Sequence, residues 1–436
     1  MQHLKDKSKI DSINMESSVE MGGGGKHNLH HSLESDFKHS KDSKKPKNIF
    51  SRLVHRYKFW KKLLKNNTFF SRYIEIGSGA ETTARYMKQI PFGYNPSKYK
   101  TKSPFRFLMP FKRYRQQGFL YYFYQKLVKL ESKYKKLDSI HNSFIKKYLK
   151  FRILFGKVDI PYIEVVLTLK CTMRCESCAV MVPYFNAKNQ YTCSTEHIIE
   201  SLNAMLDKVD SIRLVRLIGG ETLLYKDIVN VVKFLDSNPK IKAFNIVTNG
   251  TIIPSNELLE SLKDTHKAMI FISDYTRSPN LKVPLKHEAI INLLKSYKIR
   301  YYFSLQNDEL WVDGGEKYKR NRSKEEIRQN FKNCMLRCVS LMSVDSGDKS
   351  VDTQSLAPKG AVFVCPIASS LSRLKGLDEF SGDFIDLANA SKERYLEFYA
   401  QDFYKACDYC PDMKNGWWNG KQIPVAVQTN ETFKIP

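Results

Sequence analysis

From residue 160 onward the apolar positions fall into two alternating periods. Tyr162–Leu169 is a β-branched, apolar run suited to a buried strand. Thr195–Leu206 has helical spacing, with Ser194 or Thr195 as its cap. The series continues with strand Ile212–Ile218, helix Asp227–Leu235, strand Lys242–Val247, helix Asn256–Leu262, strand Ala268–Ser273, helix Glu288–Tyr297 and strand Tyr301–Leu305. Strand–helix units repeating every ~25–30 residues predict a parallel sheet with crossover helices, as an open sheet or part-barrel. Residues that do chemistry then belong in the loops at the carboxyl ends of the strands.

The first 160 residues read differently. Residues 1–48 are rich in Lys, Ser, His and Asn, carry a Gly22–Gly25 run and show almost no apolar period, which predicts a disordered tail. Leu127, Leu130, Tyr134, Leu137, His141, Phe144 and Tyr148 follow a 3-4-3-4 spacing and predict one long helix with an apolar stripe. Arg72–Ile76 is strand-like and runs into Gly77-Ser78-Gly79-Ala80-Glu81-Thr82. Thr82 stands where a dinucleotide fingerprint needs Gly, so the segment reads as a turn into a helix.

Composition sharpens that division. The chain has 436 residues and a net charge of +26, with 42% hydrophobic residues, which excludes a wholly disordered chain and allows two or three domains. Residues 1–150 hold 33 Lys+Arg against 11 Asp+Glu, while the remaining residues hold 38 against 34. Residues 51–150 alone carry 24 bases, 4 acids and 22 aromatics, either a solvated basic face or a surface for nucleic acid, anionic lipid or an anionic substrate. No apolar run is long enough for a transmembrane segment. The amino terminus shows no secretory signal, so a cytoplasmic setting is expected. All nine cysteines lie after residue 170, and in that setting clustered thiols point to metal ligands or catalytic groups.

The cysteines begin where the sheet predicts chemistry. After the first strand comes Cys171-Thr-Met-Arg-Cys175-Glu-Ser-Cys178, three thiols able to surround one small centre. Thiolates suit zinc or an iron–sulfur cluster, and spacing alone leaves both open, with a pair such as Cys407 and Cys410 able to complete a zinc site. After the second strand stands Gly219-Gly220-Glu221, where glycines permit close backbone approach and a carboxylate can accept from an ammonium. Thr248-Asn249-Gly250 follows the third strand, and Ser273-Asp274-Tyr275, with Arg277 nearby, follows the fourth.

Residues 162–275 resemble a radical S-adenosylmethionine (SAM) enzyme core, marked by Cys-x3-Cys-x2-Cys after the first strand and Gly-Gly-Glu after the second. The resemblance implies a partial (β/α)6 barrel within an α/β fold. It implies that Cys171, Cys175 and Cys178 hold a 4Fe–4S cluster with an open iron, which SAM chelates. Gly219, Gly220 and Glu221 would hold the SAM amino group, Asn249 its ribose or methionine part and Ser273 its carboxylate. One electron would cleave SAM to a 5′-deoxyadenosyl radical that takes a hydrogen atom from substrate, the cofactor supplying the chemistry and the protein the positioning. Ser177 stands where the family usually has an aromatic residue or His near the adenine, so the adenine pocket is unassigned.

A second group follows: Cys334, Cys338, Cys365, Cys407 and Cys410. Gly360-x4-Cys365 and Cys407-Asp-Tyr-Cys410 resemble the SPASM/twitch extension of these enzymes. The resemblance implies an auxiliary iron–sulfur cluster on Cys338, Cys365, Cys407 and Cys410, with Cys334 competing for the first place one helical turn away; a zinc site on the same thiols is the alternative. Cys193 reads as a buried structural thiol, or a speculative hydrogen donor. The expected organisation is a tail over 1–48, a basic, mainly helical region over 49–155, the core over 156–325 and the cysteine-rich extension over 326–436. The expected function is oxidation or epimerisation of a sugar-like metabolite or a peptide, with a reduced flavodoxin or ferredoxin-like donor. An RNA-modifying enzyme using residues 51–150 and a non-catalytic iron–sulfur or zinc scaffold are the rivals. No catalytic base or hydrogen donor is assigned.

Overall fold

The structure is a computed structural model describing residues 49–75, 137–263, 265, 267–304, 310–334, 336, 341–343, 360–414, 417–418 and 422–436. The chain divides into one unit ending at His55 and one running from Arg56 to Pro436. The described part of the first, residues 49–55, begins helix α1 (Ile49–Leu63).

In the second unit the predicted strand at Arg72–Ile76 is instead a wide helical turn over Phe70–Glu75, which buries Arg72, Tyr73 and Ile74. The aromatic run that looked strand-like is used for packing, with Phe69 and Tyr73 stacked at 5.0 Å. Arg72 is fully buried. Its guanidinium lies 5.3–5.5 Å from the ring centres of Phe331, Phe398, Tyr399 and Tyr404 and donates to the Phe398 carbonyl and the Tyr404 hydroxyl, both at 2.8 Å. Part of the basic charge is therefore structural. Helix α2 spans Leu137–Leu154, the end of the predicted long stripe. The rest of that stripe, the Gly77–Thr82 segment and the 1–48 tail lie outside the described residues.

Strands β1 (Ile163–Val166), β2 (Val215–Ile218), β3 (Phe244–Thr248), β4 (Ala268–Ser273) and β5 (Tyr301–Ser304) pair in parallel and in chain order. Helices α3 (Thr195–Lys208), α4 (Ile228–Ser237), α5 (Asn256–Lys263) and α6 (His287–Ser296) fall between them. Ser194 caps α3, its hydroxyl accepting from the His197 N–H at 3.2 Å. One face of the sheet carries Ile163, Val165, Leu217, Phe244, Ile246, Ile270 and Ile272, buried in one core with Ile198, Leu202, Val231, Leu235, Leu259, Ile290 and Leu294 of the helices. The two-residue pleat sends the alternate positions to the opposite face. There Tyr162, Leu214, Ala243 and Met269 form a separate small cluster with Tyr302 and Leu336.

Among the described residues the sixth parallel strand expected of the part-barrel does not follow β5. After β6 (Leu310–Val312) and α7 (Lys324–Asn333), strand β7 (Leu341–Ser343) pairs in parallel with β1 at the other edge. Strands β8 (Ala361–Phe363) and β9 (Phe384–Asp386) extend that edge antiparallel, giving eight strands in the order β9-β8-β7-β1-β2-β3-β4-β5. The carboxyl-terminal part thus covers the β1 edge, which would otherwise stand unpaired. It also contains α8 (Pro366–Lys375), α9 (Lys392–Ala400) and β10 (Gln422–Pro424), the last paired with β6. Among the described residues no helix is long and apolar enough to cross a membrane.

Candidate active site

The loop carrying Cys171, Cys175 and Cys178 leaves the carboxyl end of β1, and the loops after β2 and β3 fold onto it. Gly220 N–H donates to the Thr168 carbonyl at 2.7 Å, and Glu221 N–H to the Lys170 carbonyl at 2.8 Å. A Cβ on Gly219 would stand 2.1 Å from the Thr168 oxygen, and one on Gly220 2.3 Å from the Lys170 oxygen. These glycines are required by the approach of two backbones at the base of the cysteine loop.

Glu221 is fully buried, and its carboxylate accepts from the Leu223 N–H at 2.9 Å and the Asn249 N–H at 2.7 Å. Burial holds it above the ordinary carboxylate range, and those donors oppose the shift. It therefore ties the β2 loop to the β3 loop. The Asn249 amide donates to Thr172 Oγ1 at 3.0 Å and reaches the Cys171 sulfur at 3.7 Å, while its oxygen accepts from Thr251. Ser273 ends β4 and hydrogen-bonds Tyr275, whose hydroxyl burial and the neighbouring thiols push well above the tyrosine range. The Tyr275 ring meets Trp311 edge-on at 5.5 Å. Arg277 is exposed on the same loop. Ser177 accepts from the Gly314 N–H at 2.8 Å, so it braces the cysteine loop against the segment after β6.

The three thiols act on one another. Burial first, then the neighbouring Cys178, pushes Cys175 up to about 12, and burial also raises Cys171 and Cys178. Bound iron would reverse this by favouring the thiolates, so the donor set suits a thiolate-held centre.

Sequence reasoning missed how the tail closes this loop. Cys175 bridges Gln428, and Glu176 N–H donates to the Val427 carbonyl at 2.9 Å. Gln428 Oε1 accepts from the Arg174 N–H at 2.8 Å, which leaves its amide nitrogen 3.2 Å from the Cys175 sulfur. Ala426, in the left-handed region with φ 51°, turns the tail into this position. His287 was also overlooked. It packs against Gly250, where φ is +78° and a Cβ would meet the ring at 2.3 Å. Cys193 is buried in the main core beside the Val166 carbonyl, as a structural thiol would be.

The second group comes together farther along. Cys334, Cys365, Cys407 and Cys410 line one cavity, with Phe331, Leu336, Ile367 and Met413 supplying apolar walls. Cys334 caps the carboxyl end of α7, Cys365 starts α8, and Cys407 and Cys410 belong to one tight turn. Cys338 lies outside the described residues. Asp383 accepts from the Lys405 and Ala406 N–H groups at 2.9 and 2.7 Å, and burial pushes it up to about 6. Arg322 donates to the Cys410 carbonyl at 3.0 Å. Burial raises the Cys410 thiol, opposed by Lys317, Arg320 and Arg322. Among the described residues no three His, Cys, Asp or Glu side chains are arranged to hold a single metal ion.

No family model matches the chain. It is 31% identical over 119 residues to a GTP 3′,8-cyclase of Listeria monocytogenes, covering 27% of this chain and 34% of the relative. It is 32% identical over 94 residues to the molybdenum cofactor biosynthesis protein 1 of Drosophila melanogaster, covering 21% of this chain and 16% of that one. The chain thus spans about a third of the length of the bacterial cyclase it matches. Among solved structures, BtrN in complex with AdoMet and 2-DOIA is 14% identical with a TM-score of 0.36, over 64% of this chain and 98% of that one. SuiB of Streptococcus suis bound to S-adenosylmethionine is 16% identical with a TM-score of 0.28, over 43% and 46%.

Proposed function

We propose, on the premise that this chain is a radical SAM protein over its core, that it is an enzyme using SAM and a 4Fe–4S cluster on a sugar-like metabolite or a peptide. The observation that carries this reading is the meeting of three thiols on one strand-end loop with the Gly-Gly-Glu and Asn249 loops packed directly onto it. When bound, the group supplies a one-electron reductive cleavage of SAM into methionine and a 5′-deoxyadenosyl radical that takes a hydrogen atom from substrate. The chain's own residues then divide the work. Cys171, Cys175 and Cys178 would hold the cluster, Gly219–Glu221 and Asn249 would shape the SAM seat, and Ser273 would face its carboxylate. The division of the chain at residues 48, 155 and 325 belongs to the same reading. A reduced flavodoxin or ferredoxin-like protein would deliver the electron.

The second cavity supports a SPASM/twitch-like auxiliary cluster on Cys334, Cys365, Cys407 and Cys410, with Cys334 taking the place first given to Cys338. Its role would be to accept an electron from a substrate radical, giving net oxidation. Anaerobically reconstituted protein given SAM and dithionite should form 5′-deoxyadenosine. Its absence with iron and sulfide fully loaded would favour a non-catalytic scaffold.

A further inference from the structure

The face of the sheet opposite the helices carries a polar layer that neither the SAM seat nor the core accounts for. Glu164, Arg216 and Asn245 are register neighbours on β1, β2 and β3, so their side chains share that face. Arg216 Nε lies 3.8 Å from Glu164 Oε1, and the Tyr162 hydroxyl donates to the same oxygen. The guanidinium lies over the Phe271 ring at 4.5 Å, and Tyr302 flanks that ring at 5.2 Å. Asn245 is fully buried, yet neither its amide nitrogen nor its oxygen has a hydrogen-bond partner among the described residues. An orphaned buried amide is costly and is retained where something else satisfies it.

Its position says what that is. Asn249 and Gly220, at the candidate SAM site, stand four residues beyond Asn245 and Arg216, in the loops just past the ends of β3 and β2, about 13 Å further along the chain direction. Val247, on the pleat between, is only half-buried. Met269 stands beside Asn245 in the same row, and one pleat below Tyr162, Leu214 and Ala243 close the face with apolar side chains. The polar layer is therefore a floor beneath the reacting centre. We propose that Asn245, with the Glu164–Arg216 pair and the Phe271 and Tyr302 rings, binds the distal end of the substrate, and that this end is a neutral polyhydroxylated ring. Glu164 and Arg216 cancel in charge, which does not favour a phosphate or a free carboxylate. Asn245 offers both N–H donors and a carbonyl acceptor, which hydroxyl groups satisfy together, and the aromatic rings suit the C–H face of a sugar-like ring.

This inference rests on the radical SAM reading for its geometry, but its test needs no turnover. Melting of the full chain should rise with millimolar myo-inositol or D-glucose and not with GTP or a neutral hexapeptide. Asn245→Leu should melt at or above wild type, because it removes an orphaned polar group, and should lose the polyol shift. Asn245→Ser, smaller and still polar, should keep a reduced shift and guards against a Leu variant that cannot pack. No polyol shift in wild type, a shift that survives in Asn245→Leu, a response confined to GTP or peptide, or a marked loss of melting temperature in both variants would overturn the proposal. Failure here leaves 5′-deoxyadenosine formation intact as the separate test of the radical SAM reading.

Discussion

The two cysteine groups differ in what surrounds their sulfurs. The first sits on a strand-end loop, and side-chain amides reach two of its thiols, Asn249 to Cys171 and Gln428 to Cys175. The second is set in an apolar cavity, with cationic residues of one preceding loop beside Cys410. Polar side chains arriving from several loops suit a centre where a ligand binds and reacts. Four thiols closed among Phe331, Leu336, Ile367 and Met413 suit a centre that only exchanges electrons. Cysteine spacing names a donor set, and the neighbours decide its use.

Three experiments test that contrast. The largest effect is expected at the second group: Cys334→Ser should lose about four of about eight irons per chain, while Cys338→Ser should keep all of them. Equal losses, or loss in Cys338→Ser alone, would restore Cys338 as the ligand. A smaller effect concerns the turn that presents Cys407. Asp383 is raised in the fold to about 6, against an unfolded value of about 3.9. The folded state therefore holds its proton more tightly, so stability falls as pH rises from about 4 to about 6. Asp383→Asn cannot titrate, and its melting-temperature deficit relative to wild type should narrow across that interval; a constant gap would contradict this. The smallest effect is at the first group. Gln428→Glu keeps an acceptor for the Arg174 N–H but removes the donor to Cys175. Iron content should hold, the potential of that cluster should move negative, and 5′-deoxyadenosine formation should slow about threefold to tenfold. An unchanged potential, measured by an EPR-monitored titration, would make Gln428 a mere strap.

The strands and helices of the core were legible because burial on one face leaves a period of two and helices a period of 3.6. Predicted strand Ala268–Ser273 agrees at both ends. At the carboxyl-terminal edge β7 and β9 were not legible, since three residues are too few to show a period, whereas the apolar run ahead of Cys365 does form β8. The prediction at Arg72–Ile76 failed because bulky residues favour burial in either conformation, and here burial of Arg72 among aromatic rings of the distant carboxyl-terminal part decided it. Cys334 and Cys338 lie one helical turn apart, so their spacing could not choose between them; the end of α7 positions Cys334, while Cys338 lies outside the described residues. Gln428 is 253 residues from Cys175, and no local pattern announces such a contact.

The first three thiols are proposed to hold an iron–sulfur centre that cleaves SAM. Iron and sulfide analysis, paired with 5′-deoxyadenosine formation, should compare anaerobically reconstituted wild type with the Cys171→Ala/Cys175→Ala/Cys178→Ala variant. Wild type should hold about eight irons and form product, against about four irons and no product in the variant. Zinc in place of iron, or unchanged iron and product in the variant, would contradict it.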